Sequence, residues 1–213
     1  VPGLASDNIW TVADGGNGKL YIGHVHHGFS ILSIKDKKVR NFVHDPNNRN
    51  SLPGNEVRCV YKDMNHNIWV GTNKGLALFN PESENFIQFN SDGNLSHYIY
   101  DIRQLDGNKL WIAMEFGGIA IMDLSQRLFL LPEQTQFHYI REGDDGYSLS
   151  NSSARCIFQD SFKNIWTGVW GGGINFLSYE PPLFSGYYYS PNQNSMSRLN
   201  NKTASSICVD SQG

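Results

Sequence analysis

The chain has 213 residues, of which 39% are hydrophobic and 17% are charged, and its formal net charge is −3. This length can bury a sizeable core, and no run of about 18 apolar residues is present to predict a membrane span. The charge is mixed and no basic stripe is interleaved with aromatic residues, so nucleic acid is not an expected partner.

A short phrase, an aromatic residue followed two places later by Gly or Ala, recurs four times at intervals of 42 to 55 residues. Its aromatic anchors are Tyr21, Trp69, Trp111 and Trp166. Each copy is followed by a Gly-Leu-type segment, such as 75–79 in the second copy. A period of about 40–50 residues built from short strands is typical of propeller blades.

Each repeat contains four short predicted strands, which we label A to D in chain order. The A strands are apolar runs that end near an aspartate, at 9–14, 57–63, 154–160 and 204–210. The B strand holds the aromatic anchor, the C strand begins with Gly, and the D strand is aromatic, as at 86–89. These segments are bounded by Gly, Pro, Asn and Asp, as strands and turns are, and no segment has a sustained helical period.

The chain is therefore predicted to be all-β, a β-propeller of four-stranded antiparallel blades. Counted from the leucine before each A strand, the repeats span 4–51, 52–94, 95–148 and 149–198, and 199–213 holds the first strand of a further blade. These four blades and one extra strand could close alone, with the spare strand as a latch, or form an arc of a larger propeller. We expect the arc, because the chain stops where the next tryptophan strand should begin.

The aspartates at the ends of the A strands predict the structure of the A–B turns. Asp63 and Asp160 stand six residues before Trp69 and Trp166, and we expect their carboxylates to accept backbone hydrogen bonds within the turn. Asp14 stands seven residues before its anchor, which implies one extra residue in that turn. In the third repeat Leu105 replaces the aspartate, so that turn is expected to be rebuilt.

The strand pattern also predicts the core. Trp69, Trp111 and Trp166 lie inside the repeated phrase and are expected to pack in the interior. Cys59 and Cys156 occupy equivalent positions of two A strands. We expect both to be buried free thiols that act as small apolar side chains.

The segments between the repeats carry a family resemblance. Residues 45–55 read Asp-Pro-Asn-Asn-Arg-Asn-Ser-Leu-Pro-Gly-Asn, and 191–197 read Pro-Asn-Gln-Asn-Ser-Met-Ser. Followed by Val…Asp…Asn-Ile-Trp-x-Gly-Thr…Gly-Leu, this pattern closely resembles the two-component regulator propeller repeat, over essentially the whole chain. Such repeats form the periplasmic sensor regions of hybrid two-component systems in Bacteroidetes.

The resemblance implies a function that the residues alone do not. It implies a periplasmic domain that recognises an oligosaccharide and signals through a homodimer to a histidine kinase. We expect no catalytic residue, cofactor or metal in this segment. In that family a further β domain, a membrane helix and the kinase parts follow the propellers. Membrane attachment would therefore come only from downstream parts outside these 213 residues.

Strand order predicts where a ligand would bind. In an antiparallel A–B–C–D blade the B–C loops and the D–A connections share one end, and here these segments are long, aromatic and rich in histidine. Binding sites tend to lie on loops held by a rigid scaffold. The predicted contacts are two stacking rings and four polar side chains: Trp170 and Phe116, then His26, Lys74, Glu115 and Arg49.

Three other interpretations stay open at this point. A metal at His24, His26 and His27 is disfavoured, because no carboxylate or cysteine lies at ligand spacing. A propeller lyase or glycosidase would need two carboxylates about a sugar bond, and Glu115 with Asp144 or Asp145 could supply them. A protein-docking or dimerisation scaffold could use the same end of the blades.

Overall fold

The structure is a computed structural model that describes residues 1–89, 95, 97–105, 108–125, 131–143 and 148–179, and the backbone of 188–189 and 198–199. Residues Val1–Tyr179 form one compact unit and Glu180–Gly213 another. In the second unit a strand at Tyr188–Tyr189 pairs in parallel with one at Arg198–Leu199. The predicted A strand at 204–210 lies outside the described residues, as do Asp106, Asp144, Asp145 and Cys208.

Four antiparallel sheets follow one another along the first unit, each with its strands paired in chain order. The first contains β1 (Ile9–Gly16), β2 (Lys19–His24), β3 (Phe29–Ser33) and β4 (Val39–Phe42). The second contains β5 (Val57–Lys62), β6 (Ile68–Thr72), β7 (Gly75–Asn80) and β8 (Asn85–Phe89).

The third sheet contains β9 (Ile99–Leu105), β10 (Lys109–Met114), β11 (Gly118–Asp123) and β12 (Phe137–Ile140), with a short 3-10 turn at Pro132–Gln134. The three described strands of the fourth are β13 (Ala154–Gln159), β14 (Ile165–Val169) and β15 (Gly173–Leu177).

The first strands of consecutive sheets contact one another, β1 with β5, β5 with β9, and β9 with β13. The A strand is therefore the inner strand of each sheet, and the sheets are propeller blades. The predicted all-β propeller is confirmed. The repeat boundaries stay predictions.

The core lies between neighbouring blades. Trp69 and Phe89 of the second blade pack with Ile102, Leu110 and Ile112 of the third, and all five side chains are buried. Burying a side chain of this size contributes about 1.5–3 kcal/mol. The same face of each sheet meets the next blade. The repeated apolar positions of the sequence therefore form a layer of core between each pair of neighbouring blades.

Aromatic rings dominate the layer between the first two blades. The ring centre of Phe29 in the first blade lies 5.4 Å from that of Phe79 and 6.1 Å from that of Phe86 in the second blade. Both pairs meet edge-on. Tyr21, the first anchor of the repeated phrase, is buried beside them. Edge-to-face pairs of this kind add about 0.5–1.5 kcal/mol to the burial itself.

The A–B turns have the hydrogen bonds that the aspartates predict. Asp63 accepts from the backbone N–H groups of Asn65 and Asn67 at 2.9 and 2.8 Å, from the Asn67 side chain at 2.8 Å, and from the Trp69 indole N–H at 2.9 Å. Asp160 makes the same four bonds in the fourth blade. The structural role predicted for both aspartates is confirmed, and the indole bond links each turn to its anchor.

Glycine after the anchor lets the inner strands approach. A Cβ on Gly71 would lie 2.4 Å from Cys59 Sγ and 2.7 Å from Ile99 Cγ2. Any larger residue would push β6 away from the neighbouring inner strand β9, so the Trp-x-Gly phrase reflects a packing requirement. In the first blade the pairing of β1 with β2 is irregular between Asp14 and Gly16, where the sequence predicts an extra residue.

Two expectations about the core are wrong. Trp69 and Trp111 are buried as predicted, but Trp166 is 39% exposed. The described residues of Val1–Tyr179 cover its side of the fourth blade only in part. Cys59 is buried and free, whereas Cys156 is free and exposed on the same side. Equivalent positions in the repeat therefore differ in burial according to the neighbouring blade.

Candidate functional site

A β-bulge occurs at the same place in all four inner strands. The pairing of each inner strand with its neighbour passes directly from the first residue to the third, for example from Val57 to Cys59. The second residue is left without a partner residue in the ladder. These bulged residues are Trp10, Arg58, Tyr100 and Arg155. Bulges re-aim side chains and are common beside functional sites.

The bulged side chains stack on one another across the blades. The Arg58 guanidinium carbon lies 4.5 Å from the centre of the Trp10 ring and 5.0 Å from that of Tyr100. The Arg155 guanidinium carbon lies 3.8 Å from the Tyr100 ring and 5.1 Å from the Trp170 ring. Aromatic and cationic groups therefore alternate over four blades, in contacts worth about 0.5–2 kcal/mol each.

One more ring completes this group. Tyr98 stacks on Tyr100 with 6.4 Å between ring centres, and it also lies 4.8 Å from Arg58. We call these six residues the arginine–aromatic cluster: Trp10, Arg58, Tyr98, Tyr100, Arg155 and Trp170. The tryptophans at its two ends are open to solvent, Trp10 at 49% and Trp170 at 69% exposure.

Two glutamates hold the arginines in place. Arg58 Nη2 donates to Glu56 Oε2 at 3.2 Å, and Arg155 Nη2 donates to Glu115 Oε1 at 2.8 Å. The second oxygen of Glu56 lies 3.4 Å from His26 Nδ1. All four charged side chains are more than two-thirds buried. The guanidinium planes are therefore fixed by a ring contact and a carboxylate together.

The B–C loops are tied to the inner strands by backbone hydrogen bonds. Glu115 N–H donates to Tyr98 C=O at 2.9 Å, and Trp170 N–H donates to Ser153 C=O at 2.8 Å. The corresponding bond joins Asn73 to Glu56 at 3.0 Å. Because each loop is fixed to the residue two places before the bulge, loop side chains and bulged side chains share one end of the blades.

A carboxylate joins the third and fourth inner strands below the cluster. Asp101 Oδ2 accepts from the Ile157 backbone N–H at 2.9 Å, and Asp101 Oδ1 accepts from its neighbour Ile102 at 3.0 Å. Burial raises the pKa of Asp101, although these bonds and Arg103 oppose the shift. The bridge fixes the separation of β9 and β13, and with it the contact between Tyr100 and Arg155.

The structure brings three of the six predicted contacts into or beside the cluster. Trp170 belongs to it, Glu115 orients Arg155, and His26 lies beside Glu56. Phe116 is next to Glu115, is 74% exposed and has a φ of 57°. A bulky residue with positive φ is strained by about 1–3 kcal/mol, and such strain is concentrated at functional sites.

The other two predicted contacts lie apart from this group. Lys74 and Arg49 are exposed, and no hydrogen bond or ion pair between described residues joins either side chain to the cluster. His24, considered above for a metal, lies inside β2, is fully buried and hydrogen-bonds Ser30 at 2.7 Å. Within the described residues no group of three potential metal ligands occurs.

Sequence reasoning did not find the bulged residues, because it looked for contacts only on loops. Arg58 and Arg155 follow the first apolar residue of their strands, and Trp10 and Tyr100 occupy the same place. The available signal in the sequence was that all four repeats carry a large side chain able to stack at this one position.

Two cavities lie away from the cluster. One of about 430 Å³ is at the A–B turn end of the first two blades, where Lys19, Lys62 and His66 line it. The other, about 320 Å³, lies between the third and fourth blades and is lined by apolar residues such as Ile174 and Phe176. Neither contains a member of the arginine–aromatic cluster.

Several known proteins are similar to this chain. Residues 51–74 match the family model of the two component regulator propeller. The extracellular domain of a putative hybrid two component system from B. thetaiotaomicron is 54% identical, with a TM-score of 0.73, over 100% of this chain and 25% of that one. Histidine kinase P4 of Formosa agariphila is 30% identical over 86 residues, which are 37% of this chain and 6% of that protein.

A second extracellular domain of this kind from B. thetaiotaomicron is 19% identical with a TM-score of 0.53, over 85% of this chain and 28% of that one, and it supports the fold alone. The predicted resemblance is confirmed: the chain carries the two-component regulator propeller repeat and is homologous to the extracellular domain of a hybrid two-component system. It spans about a quarter of that structure. Among the described residues no helix is long and apolar enough to cross a membrane.

Proposed function

We propose that this chain is a ligand-recognition domain of a hybrid two-component signalling protein, that it lies in the periplasm, and that its ligand is an oligosaccharide. The arginine–aromatic cluster is the single observation that carries the proposal. The homology to an extracellular domain supports the sensor role, and the cluster supports the class of ligand.

The cluster offers the two kinds of contact that a sugar needs. The exposed rings of Trp170 and Trp10 present apolar faces, on which the C–H face of a pyranose can pack. Between them, the edges of Arg58 and Arg155 supply hydrogen-bond donors, and Glu56 and Glu115 supply acceptors. Rings and charged groups alternate along four blades, so the platform suits several sugar units better than one.

The arrangement favours binding over catalysis. Glu56 and Glu115, which lie beside the cluster, are engaged by its arginines, so neither is a free general acid or base. Fixed rings and paired charges instead give a rigid surface, which binds with little loss of side-chain entropy. Signalling to a histidine kinase through a homodimer is part of the proposal and rests on the homology.

Titration calorimetry of the full-length protein against a panel of defined oligosaccharides tests the proposal. We expect saturable binding without consumption of the sugar. Trp170→Ala should weaken that binding, whereas Phe162→Ala, which removes a 78% exposed ring from an A–B turn at the opposite end, should leave it unchanged. Release of a cleaved product would favour a lyase or glycosidase. Heat from no sugar would favour a protein-docking or dimerisation scaffold, which light scattering would then examine.

A further inference from the structure

The arginines of the cluster have more donors than the described residues use. A guanidinium carries five N–H groups. Arg58 donates through Nη2 to Glu56, and Arg155 donates through Nη2 to Glu115. The Nε atoms of both arginines are buried and have no acceptor among the described residues. A buried donor without an acceptor is costly, and here the same donor is unmatched in two blades.

The aromatic rings determine which part of each arginine a ligand can reach. The flat faces of the guanidinium groups lie over Trp10, Tyr98, Tyr100 and Trp170. Only the edges of the two groups remain for polar contacts. The Nε–H is parallel to one N–H of Nη2, and Nη2 has a second N–H for its glutamate. The spacing of the two parallel N–H bonds matches the paired oxygens of a carboxylate or a sulfate. A single hydroxyl oxygen would satisfy only one of them.

We propose that the saccharide bound by the cluster is acidic, and that its carboxylate or sulfate group binds the guanidinium edges of Arg58 and Arg155. This inference rests on the proposed function. Glu56 and Glu115 balance the two positive charges, so the cluster does not attract anions by excess charge. Recognition depends on the planar, preoriented fork of arginine, which lysine does not have.

Matched pairs of oligosaccharides test this inference by titration calorimetry on the full-length protein. Oligogalacturonate and its neutral methyl ester form one pair, and a sulfated carrageenan tetrasaccharide and its desulfated form make up the other. We expect at least tenfold tighter binding of the acidic member in one pair, and the pair that shows it distinguishes a carboxylate from a sulfate.

Variants that keep the charge identify the cause. The double variant Arg58→Lys with Arg155→Lys should reduce affinity for the acidic sugar at least tenfold and remove most of the preference. Arg40→Lys, at an exposed arginine paired with Glu84 in a different part of the fold, should change neither. Unaltered thermal midpoints would show that the variants fold.

The outcomes separate the two proposals. Equal or tighter binding of the neutral members would overturn the acidic ligand while leaving saccharide recognition intact. Undiminished preference in the double lysine variant would also overturn it. Binding of none of the four sugars would count against both proposals.

Discussion

Replacing Asp63 by alanine should destabilise the domain far more than the same change at Asp160. Both carboxylates accept four hydrogen bonds in equivalent A–B turns. Asp63 is 3% exposed and its partner Trp69 is fully buried, whereas Trp166 is 39% exposed. After the change, water can reach the donors around Asp160 but not the indole N–H of Trp69.

The size of the effect follows from the donors that lose their acceptor. A buried donor left unsatisfied costs about 1–3 kcal/mol. Among the Asp63 donors the Trp69 indole N–H is buried and the Asn67 backbone N–H is partly buried, so Asp63→Ala should cost about 3 kcal/mol. Asp63→Asn keeps one acceptor oxygen, and its cost should be intermediate.

Urea unfolding followed by tryptophan fluorescence measures this difference. The midpoint should fall strongly for Asp63→Ala and slightly for Asp160→Ala, with the denaturant slope unchanged in both. A loss below about 1 kcal/mol for Asp63→Ala, where ~3 is expected from its unsatisfied donors, would refute the reasoning. Equal losses at the two sites would show that burial of the anchor does not set the cost.

Three further predictions concern the same blades. Trp69→Ala should cost about 3–5 kcal/mol of unfolding free energy and Trp166→Ala less than half of that, as denaturant titration would show; similar values would contradict the difference in exposure. Peptide-resolved alkylation should label Cys156 rapidly and Cys59 slowly, because burial raises the pKa of the Cys59 thiol; rapid labelling of Cys59 in the folded protein would contradict its burial. Phe116→Gly should raise the thermal midpoint by relieving the positive φ and weaken sugar binding, and a lower midpoint would show that Phe116 is not strained.

The repeat could be predicted because the residues that shape a blade lie close together in the sequence. Trp69 and its following Gly71 satisfy two needs of one strand, a bond to the turn aspartate and close approach of the next inner strand. The aspartate bond recurs in the fourth blade, and a Gly or Ala stands two places after the anchor in all four blades, so both appear as a phrase in the sequence. Short β-branched and aromatic segments between turn residues then determine the strand order.

The burial of Trp166 could not be predicted in the same way. Its local sequence is nearly that of Trp69, and the two differ only in what packs against the sheet. Burial therefore depends on the neighbouring blade, which the local phrase does not describe.

The site was predicted only in part, for a reason of geometry. Glu115 and Trp170 lie on two predicted B–C loops, and loop position is visible in the strand pattern. Arg58 and Arg155 lie within strands. In a regular strand, the face of the sheet to which each side chain points would follow from simple alternation. A bulge inserts one residue and re-aims that side chain, and no simple alternation reveals it.

The central claim is that the arginine–aromatic cluster is the ligand site. The most direct measurement is the dissociation constant of one bound oligosaccharide, by titration calorimetry, for the wild type, Trp170→Ala and Phe162→Ala. Loss of one stacking ring should weaken binding about tenfold for Trp170→Ala, which corresponds to about 1.4 kcal/mol, with Phe162→Ala equal to the wild type. An unchanged constant for Trp170→Ala, or equal weakening by both variants, would contradict the account.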